Sequence, residues 1–424
     1  MTMLASVLLY FLVIAVSAFF VACKKTAVIT VKGRRHVIRW PVLLGLFLPL
    51  ALGSLRYGTG ADYPNYLEIY QFFATGEETG ATAAYFLKVE PLFHLLPKIS
   101  YALTGTPVVF FASVWTATLV LLYIGMQRLL PRTDGLLLGM AWSLMLIIMM
   151  PLAFDQMRQT LAIALFFFAV YYIVIGKPLR YIAVMAIAVT SHFSALFFVP
   201  AYLIRPLIHK LPAQHLWRVN GIAIGVGIMA ILAVIGMAIM FQEGLRSLDI
   251  HYINYALKSL YDGKGFRLLG LIRVNYWTIT MGGLLLWGLW RLYHHRAAHI
   301  ITYRVQVVLL SVGLMLLTLS AFISFGGRLT QYLLPIVPVA VYATANYTMR
   351  RRLGLTQVGL FVCMMVCNWN WILPYSSLWH QVDFNDVNRH QSLLNRMLCL
   401  RDESKCVIKS GQQYDNQALW RLGR

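Results

Sequence analysis

Apolar stretches of the length needed to cross a bilayer recur along this chain. A hydrocarbon core of about 30 Å needs about 20 helical residues, and such stretches follow one another from Met3 to about Tyr375. Of the 424 residues, 59% are apolar and only 12% are charged, whereas a water-soluble domain usually carries about a quarter charged residues. The sequence therefore predicts an all-α, polytopic integral membrane protein.

About twelve crossings are expected. They lie at 3–22, 38–54, 107–126, 135–153, 158–175, 179–191, 194–208, 219–241, 268–290, 302–325, 330–348 and 355–373. No internal repeat or low-complexity linker divides them, so we predict one membrane domain over residues 1–375 and a C-terminal tail over 376–424.

Two short apolar segments need separate treatment. Pro91 to Gly105 is too brief to cross and is expected to lie on the outer face or re-enter it. Residues 179–208 leave only about 30 residues for two crossings. The turn around His192 is therefore expected below the membrane surface.

The basic residues are concentrated in the loops of one side of the predicted membrane domain. These loops hold 19 Lys or Arg and one acid, Asp134, whereas the opposite loops before the tail hold about ten Lys or Arg and nine acids. Because basic loops stay cytoplasmic, the N-terminus and the tail are predicted on the outer side of the membrane. This topology explains the net charge of +21 without a nucleic-acid partner.

Several polar residues lie at the predicted outer ends of helices, where charge beside hydrocarbon is costly and residues of this kind are functional candidates. They are Arg56, Asp62, Tyr63 and Tyr66 in RYGTGADYPNY, Glu90 in VEPLFH, Asp155, Arg158 and Gln159 in DQMRQTLA, His192 in SHFSAL, Arg273, Asn275 and Tyr276 in RVNY, and Arg328, Gln331 and Tyr332 in GGRLTQY. In DQMRQTLA and GGRLTQY the i, i+3, i+4 spacing predicts one shared helical face.

Each candidate also has a purely structural interpretation. These are headgroup contact for Arg56 and Arg328, an ion pair with Asp155 for Arg158, a satisfied buried position for His192 and a helix cap for Glu90. However, four arginines near the outer ends of different segments predict a basic cavity that is open to that side. Arginine binds phosphate oxygens with two N–H groups, so a lipid-linked phosphate or diphosphate is the expected ligand.

The chemistry expected at such a cavity is glycosyl transfer. The arginines would neutralise a diphosphate leaving group, and a carboxylate or imidazole would take the proton of the acceptor hydroxyl. Asp62, Glu90 and His192 are the available bases, and the sequence does not choose among them. The acids form no DxD-like pair and the five cysteines have no metal-ligand spacing, so neither a metal nor a cofactor is predicted.

The motifs RYGTGADYPNY, VEPLF, MRQTLAIALF, SHFSAL and GRLTQY, in this order, resemble those of the EpsG family of Wzy-type polysaccharide polymerases. The resemblance runs from about Leu52 to Leu334. The family usually has Thr where this chain has Ala61, and the tail has no counterpart in the family pattern.

The resemblance implies a GT-C-like polymerase of the bacterial inner membrane that acts on the periplasmic side. The growing glycan on undecaprenyl diphosphate would be the donor, and a lipid-linked repeat unit would be the acceptor. A chain-length regulator would be a further partner. Arg56, Arg158 and Arg328 match motif positions and would bind diphosphate, while Tyr63, Gln159 and Tyr332 would contact substrate. By their position, Arg273 is a further diphosphate-binding candidate, and Tyr66 and Gln331 are further substrate-binding candidates.

Two other functions are compatible with a polytopic chain of this kind. An O-antigen ligase would be favoured by a long periplasmic loop late in the chain, but the longest outer loop lies early, between Arg56 and Thr106. A flippase or transporter of lipid-linked glycans would show pseudo-symmetric halves, which the sequence does not contain.

Overall fold

The computed structural model describes residues 3–23, 27–31, 34–38, 40–54, 63–75, 89–130, 135–210, 276–294, 301–320 and 324–343, with isolated positions 221, 225 and 229. Its elements are α1 (Met3–Ala22), β1 (Ala27–Val31), β2 (Arg34–Ile38), α2 (Trp40–Ser54), α3 (Tyr63–Thr75), α4 (Leu92–Thr104), α5 (Pro107–Leu129), α6 (Gly135–Asp155), α7 (Met157–Ile175), α8 (Pro178–Ser191), a 3-10 helix (Phe193–Leu203), α9 (Ile204–Lys210), α10 (Tyr276–His294), α11 (Ile301–Ser320), α12 (Ser324–Gln331) and α13 (Ile336–Ala343). Among these residues, 3–168 and 183–196 form one compact unit, and 169–182 and 197–343 form a second.

Within the described residues, three helices are long and apolar enough to cross a membrane. They are Pro107–Leu129, Gly135–Phe154 and Met157–Ile175, and shorter apolar helices accompany them. The prediction of a helical membrane protein is thereby confirmed. The count of twelve crossings, the GT-C-like architecture and the division at residue 375 stay predictions, because 219–241, 355–373 and the tail lie almost wholly outside the described residues.

Hydrogen bonds around a proline join four helices of the first unit. Pro49 in α2 has no N–H, so the carbonyl of Gly45, four residues earlier, lacks its helical donor. The hydroxyl of Ser17 in α1 donates to that carbonyl and accepts from Nε1 of Trp142 in α6 at 2.9 Å. Trp115 in α5 donates from Nε1 to the Pro49 carbonyl at 2.6 Å. These contacts fix the apolar helices that support the candidate site.

The basic segment after α1 is predicted to be a loop, but it folds as a β-hairpin. Strands β1 and β2 pair antiparallel, with Ala27 opposite Ile38 and Val31 opposite Arg34. The run of β-branched residues in AVITV explains this local structure, because such side chains pack well on a pleated surface. The hairpin is an exception to the all-α prediction.

Helix α4 occupies the short apolar segment that begins at Pro91. Of its 13 residues, Phe93, Pro97 and Ser100 are buried, while Leu103 is 69% exposed. Gly105 ends the helix with a φ of 67°, and its N–H donates to the carbonyl of Tyr101 at 2.8 Å. A helix of this length is too short to span a bilayer, and its expected location at the outer face stays a prediction.

In the second unit, the end of α7 is capped from a distant helix. Gly176 has a φ of 72°, and the N–H of Lys177 donates to the carbonyl of Tyr172 at 3.0 Å, as in a Schellman turn. Nη1 of Arg205 in α9 donates to the carbonyl of Ile173 at 2.6 Å. Further along this unit, α11 packs against α9, α10, α12 and α13.

Candidate active site

Glu90 is a buried carboxylate at the start of α4. Its own carbonyl accepts from the N–H of Phe93 at 2.9 Å, so the first turn of α4 fixes the backbone from which the side chain extends. The residue is only 2% exposed. Its Oε2 accepts from Nη1 of Arg158 at 2.5 Å in an ion pair. A charge buried to this extent requires such a partner.

Arg158 is the second residue of α7, directly after a break between two helices. Helix α6 ends at Asp155 and α7 begins at Met157. Asp155 is the last residue of α6, whereas Arg158 and Gln159 lie in α7, and the shared face of the three side chains stays a prediction. The arginine forms an ion pair with Glu90, 68 residues earlier in the chain.

The break in the helix leaves backbone donors that need other acceptors. The first N–H groups of a helix have no intrahelical acceptor, and the N–H of Arg158 donates to the hydroxyl of Tyr66 at 3.4 Å. Tyr66 is 3% exposed and lies in α3, which packs against α4. Between these helices, the rings of Phe73 and His94 stack with centroids 4.2 Å apart. Tyr66 is thus held beside the start of α7.

The turn around His192 reaches the same carboxylate. The N–H of Phe193 donates to Oε1 of Glu90 at 3.4 Å, so Glu90 contacts both the start of α7 and the start of the 3-10 helix. Helix α8 ends at Ser191 and the 3-10 helix follows, which agrees with the turn expected there. Its depth in the membrane stays a prediction.

The ring of His192 is held by Ser194. The N–H of Ser194 donates to Nδ1 of His192 at 3.2 Å, and the Ser194 hydroxyl lies 2.6 Å from the same nitrogen. A ring nitrogen that accepts from an N–H carries no proton of its own, so the neutral imidazole has its hydrogen on Nε2. In this state His192 presents a donor, not an acceptor, at Nε2.

The two glutamines of the arginine motifs are both buried. Gln159 in α7 is 2% exposed and Gln331 in α12 is 4% exposed. Next to Gln159, the hydroxyl of Thr160 donates to the carbonyl of Gln156 at 2.8 Å. Buried amides need hydrogen-bond partners, so both positions suit ordered polar contacts rather than contact with lipid.

The remaining residues of GGRLTQY have different surroundings. Arg328 is exposed and lies in the last turn of α12. Tyr332 follows the helix and is fully buried, with its ring stacked on that of Phe198 at a centroid distance of 4.6 Å. Arg328 and Tyr332 therefore do not share one face of a continuous helix, and this part of the spacing prediction is wrong.

Other predicted residues lie outside the described residues. These are Arg56, Asp62, Arg273 and Asn275, while Tyr63 and Tyr276 are described only as the first residues of α3 and α10. The cavity formed by four arginines therefore stays a prediction. Within the described part of the chain, no group of three His, Cys, Asp or Glu side chains comes close enough to hold a metal ion.

Three contacts at the site were not anticipated from the sequence. They are the backbone N–H of Phe193, the hydroxyl of Ser194 and the hydroxyl of Tyr66. Only Ser194 had a usable local signal, since a serine two residues after a histidine can reach its ring. The other two contacts join segments that are distant in sequence.

The arrangement is suited to binding an anion. Glu90 fixes one N–H of a guanidinium that is 23% exposed, and a guanidinium carries five N–H groups in a rigid plane. An arginine oriented in advance loses less entropy when it binds a phosphate or diphosphate.

Comparison with known proteins gives a family match. The family model described as the EpsG family matches residues 39–381. No curated protein and no solved structure matches the chain.

Proposed function

Because the chain belongs to the EpsG family, a family of Wzy-like polysaccharide polymerases, we propose that it polymerises undecaprenyl-diphosphate-linked repeat units into O-antigen or exopolysaccharide. The reaction would take place on the periplasmic side of the bacterial inner membrane. The ion pair of Arg158 with buried Glu90 carries this proposal, because it provides a pre-oriented anion-binding group in a membrane protein. The uneven distribution of basic loops supports the assignment of sides.

The proposed reaction is a single displacement with inversion. A hydroxyl oxygen of the acceptor repeat unit attacks the anomeric carbon of the growing glycan. The bond from that carbon to the diphosphate oxygen breaks, and undecaprenyl diphosphate leaves with the electron pair. The hydroxyl proton passes to a base of the protein. Arginines that contact the diphosphate stabilise the negative charge that develops on it.

The residues divide between these tasks. Arg158 binds diphosphate, together with Arg56, Arg273 and Arg328. Substrate contacts come from Tyr63, Tyr66, Gln159, Gln331 and Tyr332, and the base is one of Asp62, Glu90 and His192. No cofactor or metal is needed for this chemistry. Membrane lipid and a chain-length regulator are the further partners that we expect.

The first experiment compares the glycan profile of cells that lack the gene with that of complemented cells. If the host makes O-antigen, a ladder that collapses to lipid A core plus a single repeat supports the polymerase. Loss of all attached glycan while polymer accumulates on the carrier would instead identify a ligase. An unchanged ladder would favour transport.

Point variants connect the phenotype to the site. Complementation with Arg158→Ala should give no long-chain product although the protein is present in the membrane. Arg128→Ala is the matched control, because Arg128 lies at the far end of α5 with its guanidinium 4.7 Å from the ring centroid of Phe168. We expect the control to restore the full ladder, and full activity of Arg158→Ala would contradict the diphosphate role.

A further inference from the structure

We propose that Glu90 is a positioning residue, which holds Arg158 and the turn at His192 in place, and that it is not the base. This inference rests on the proposed function, since it assigns a role within that reaction. It also reduces the three candidate bases to two.

Both oxygens of the Glu90 carboxylate accept a hydrogen bond. Oε2 accepts from Nη1 of Arg158 at 2.5 Å, and Oε1 accepts from the N–H of Phe193 at 3.4 Å. A base must present a lone pair to the substrate hydroxyl at hydrogen-bonding distance. Each oxygen keeps a further lone pair, but a carboxylate that is 2% exposed gives a substrate hydroxyl little access to it.

Proton uptake would also disrupt the site at the moment of reaction. If Glu90 accepted the hydroxyl proton, it would lose the charge that holds Nη1 of Arg158. The guanidinium would then lose its fixed orientation just as negative charge develops on the leaving diphosphate. Catalysis needs donors that are fixed before this charge appears, so the two roles conflict in one side chain.

Glu90 instead joins α7 to the 3-10 helix through its contacts with Arg158 and Phe193. Arg158 is the second residue of α7 and Phe193 is the first residue of the 3-10 helix. Helix N-termini carry partial positive charge, so the carboxylate is stabilised by the start of the 3-10 helix at Phe193 and by the Arg158 guanidinium. Glu90 thereby sets the orientation of Arg158 relative to His192, one residue before Phe193. The proton acceptor is then Asp62 or His192.

The test uses purified protein in lipid nanodiscs with lipid-diphosphate-linked repeat units. Glu90→Gln retains a carbonyl acceptor but cannot serve as a carboxylate base. We expect kcat to fall by less than about tenfold and KM for the lipid-linked donor to rise by about threefold to tenfold, because donor binding depends on the orientation of Arg158. A fall in kcat of about 10²- to 10⁴-fold with unchanged KM is the signature of a lost base and would overturn the proposal.

A double variant tests whether Glu90 acts through Arg158. Residues that act on one interaction have non-additive effects. In the Arg158→Lys background, Glu90→Gln should therefore lower the remaining activity by less than about threefold. A full multiplicative loss would show an independent role and overturn the proposal. Arg128→Ala, whose guanidinium lies over the ring of Phe168, is the control and should leave kcat and KM unchanged.

A binding measurement separates this inference from the proposed function. Inorganic pyrophosphate is titrated calorimetrically into wild type, Glu90→Gln and Arg158→Ala. The wild type should bind, Glu90→Gln should bind at least about threefold more weakly, and Arg158→Ala should not bind. If the wild-type protein made no polymer but this binding pattern were observed, the polymerase function would be contradicted and the positioning role of Glu90 would stand. Equal affinity of wild type and Glu90→Gln would overturn the positioning role.

Discussion

Arg158 and Arg328 both lie in short motifs that contain a glutamine, but their structural surroundings differ. Each is followed by a glutamine, at one residue for Arg158 and at three for Arg328, and both glutamines are buried. Arg158 begins a helix of 19 residues and is held by a buried carboxylate. Arg328 lies in the last turn of a helix of eight residues and is exposed.

The chain after each arginine explains this difference. Beyond Arg158 no proline interrupts α7. Beyond Arg328, Pro335 removes one backbone donor and disfavours helical geometry in the residue before it. The N–H of Tyr332 then donates to the carbonyl of Leu329, three residues back, at 3.1 Å. The two motifs thus give one arginine near a helix start in an ion pair with a buried carboxylate, and one exposed arginine in a last helical turn.

The replacement of each arginine by lysine tests this comparison most severely. Arg158→Lys should lower the polymerisation rate by about a hundredfold, because a point charge cannot satisfy Glu90 and a diphosphate in the fixed geometry of a guanidinium. Arg328→Lys should lose less than about tenfold, because the exposed side chain keeps its positive charge. Initial rates in nanodiscs provide the measurement, and equal losses in the two variants would remove the distinction.

The sequence predicted most helices of the described chain because their apolar runs are long and their ends are marked by Gly, Pro or charged residues. It could not identify the partner of Arg158. Local spacing offered Asp155, three residues away, as a structural alternative, whereas Glu90 is 68 residues away. Contacts at that separation depend on how α3, α4 and α7 pack, and no spacing rule encodes such packing.

Removal of the Tyr332 ring tests the packing of the chain that follows Arg328. Tyr332→Ala should destabilise the protein by about 3 kcal/mol, because it leaves a cavity and removes a stacked ring. Tyr332→Phe keeps the stack on Phe198 and should be close to wild type in thermal unfolding in detergent.

The same pair of variants separates a structural role from substrate contact. If Tyr332→Phe remains stable but loses polymerase activity, its hydroxyl contacts substrate, as the resemblance implies. Normal activity would mean that Tyr332 only packs. The region around Arg328 would then differ from that of Arg158 in function as well as in structure.

Tyr66→Phe should have a smaller effect on the polymerisation rate, exerted only through Arg158. It removes the acceptor of the Arg158 N–H, and a hydrogen bond of this kind contributes about 1 kcal/mol. We expect a loss of about threefold to fivefold in polymerisation rate, with little change in the amount of folded protein. No change in rate would indicate that water can replace the tyrosine hydroxyl at the start of α7.

The sequence contains the reason for one feature of this region. A segment too short for two straight crossings predicts a turn at His192, and α8 ends at Ser191. Glu90 is a candidate because charge next to an apolar run needs a reason, and its role stays a prediction. The ring orientation of His192 was not predictable, because it depends on whether a nearby hydroxyl and N–H point at Nδ1. That is a property of the backbone after Ser191.

Ser194→Ala should produce the smallest effect of these changes and the most specific one. The variant removes the hydroxyl next to Nδ1 of His192 but keeps the backbone N–H of residue 194 as a donor. Nitrogen-15 spectra of histidine-labelled protein at neutral pH should show the hydrogen on Nε2 in wild type, and a larger share of the other tautomer in the variant. The rate should fall by less than about threefold.

The tautomer decides what His192 can do. With the hydrogen on Nε2, the ring can donate to a phosphate or sugar oxygen, and it can accept a proton only at Nδ1, where Ser194 already donates. A base role for His192 would therefore require the contact with Ser194 to open during the reaction. If the spectra instead show the hydrogen on Nδ1, Nε2 becomes the acceptor. His192 would then be preferred over Asp62 as the base, next to an arginine held by Glu90.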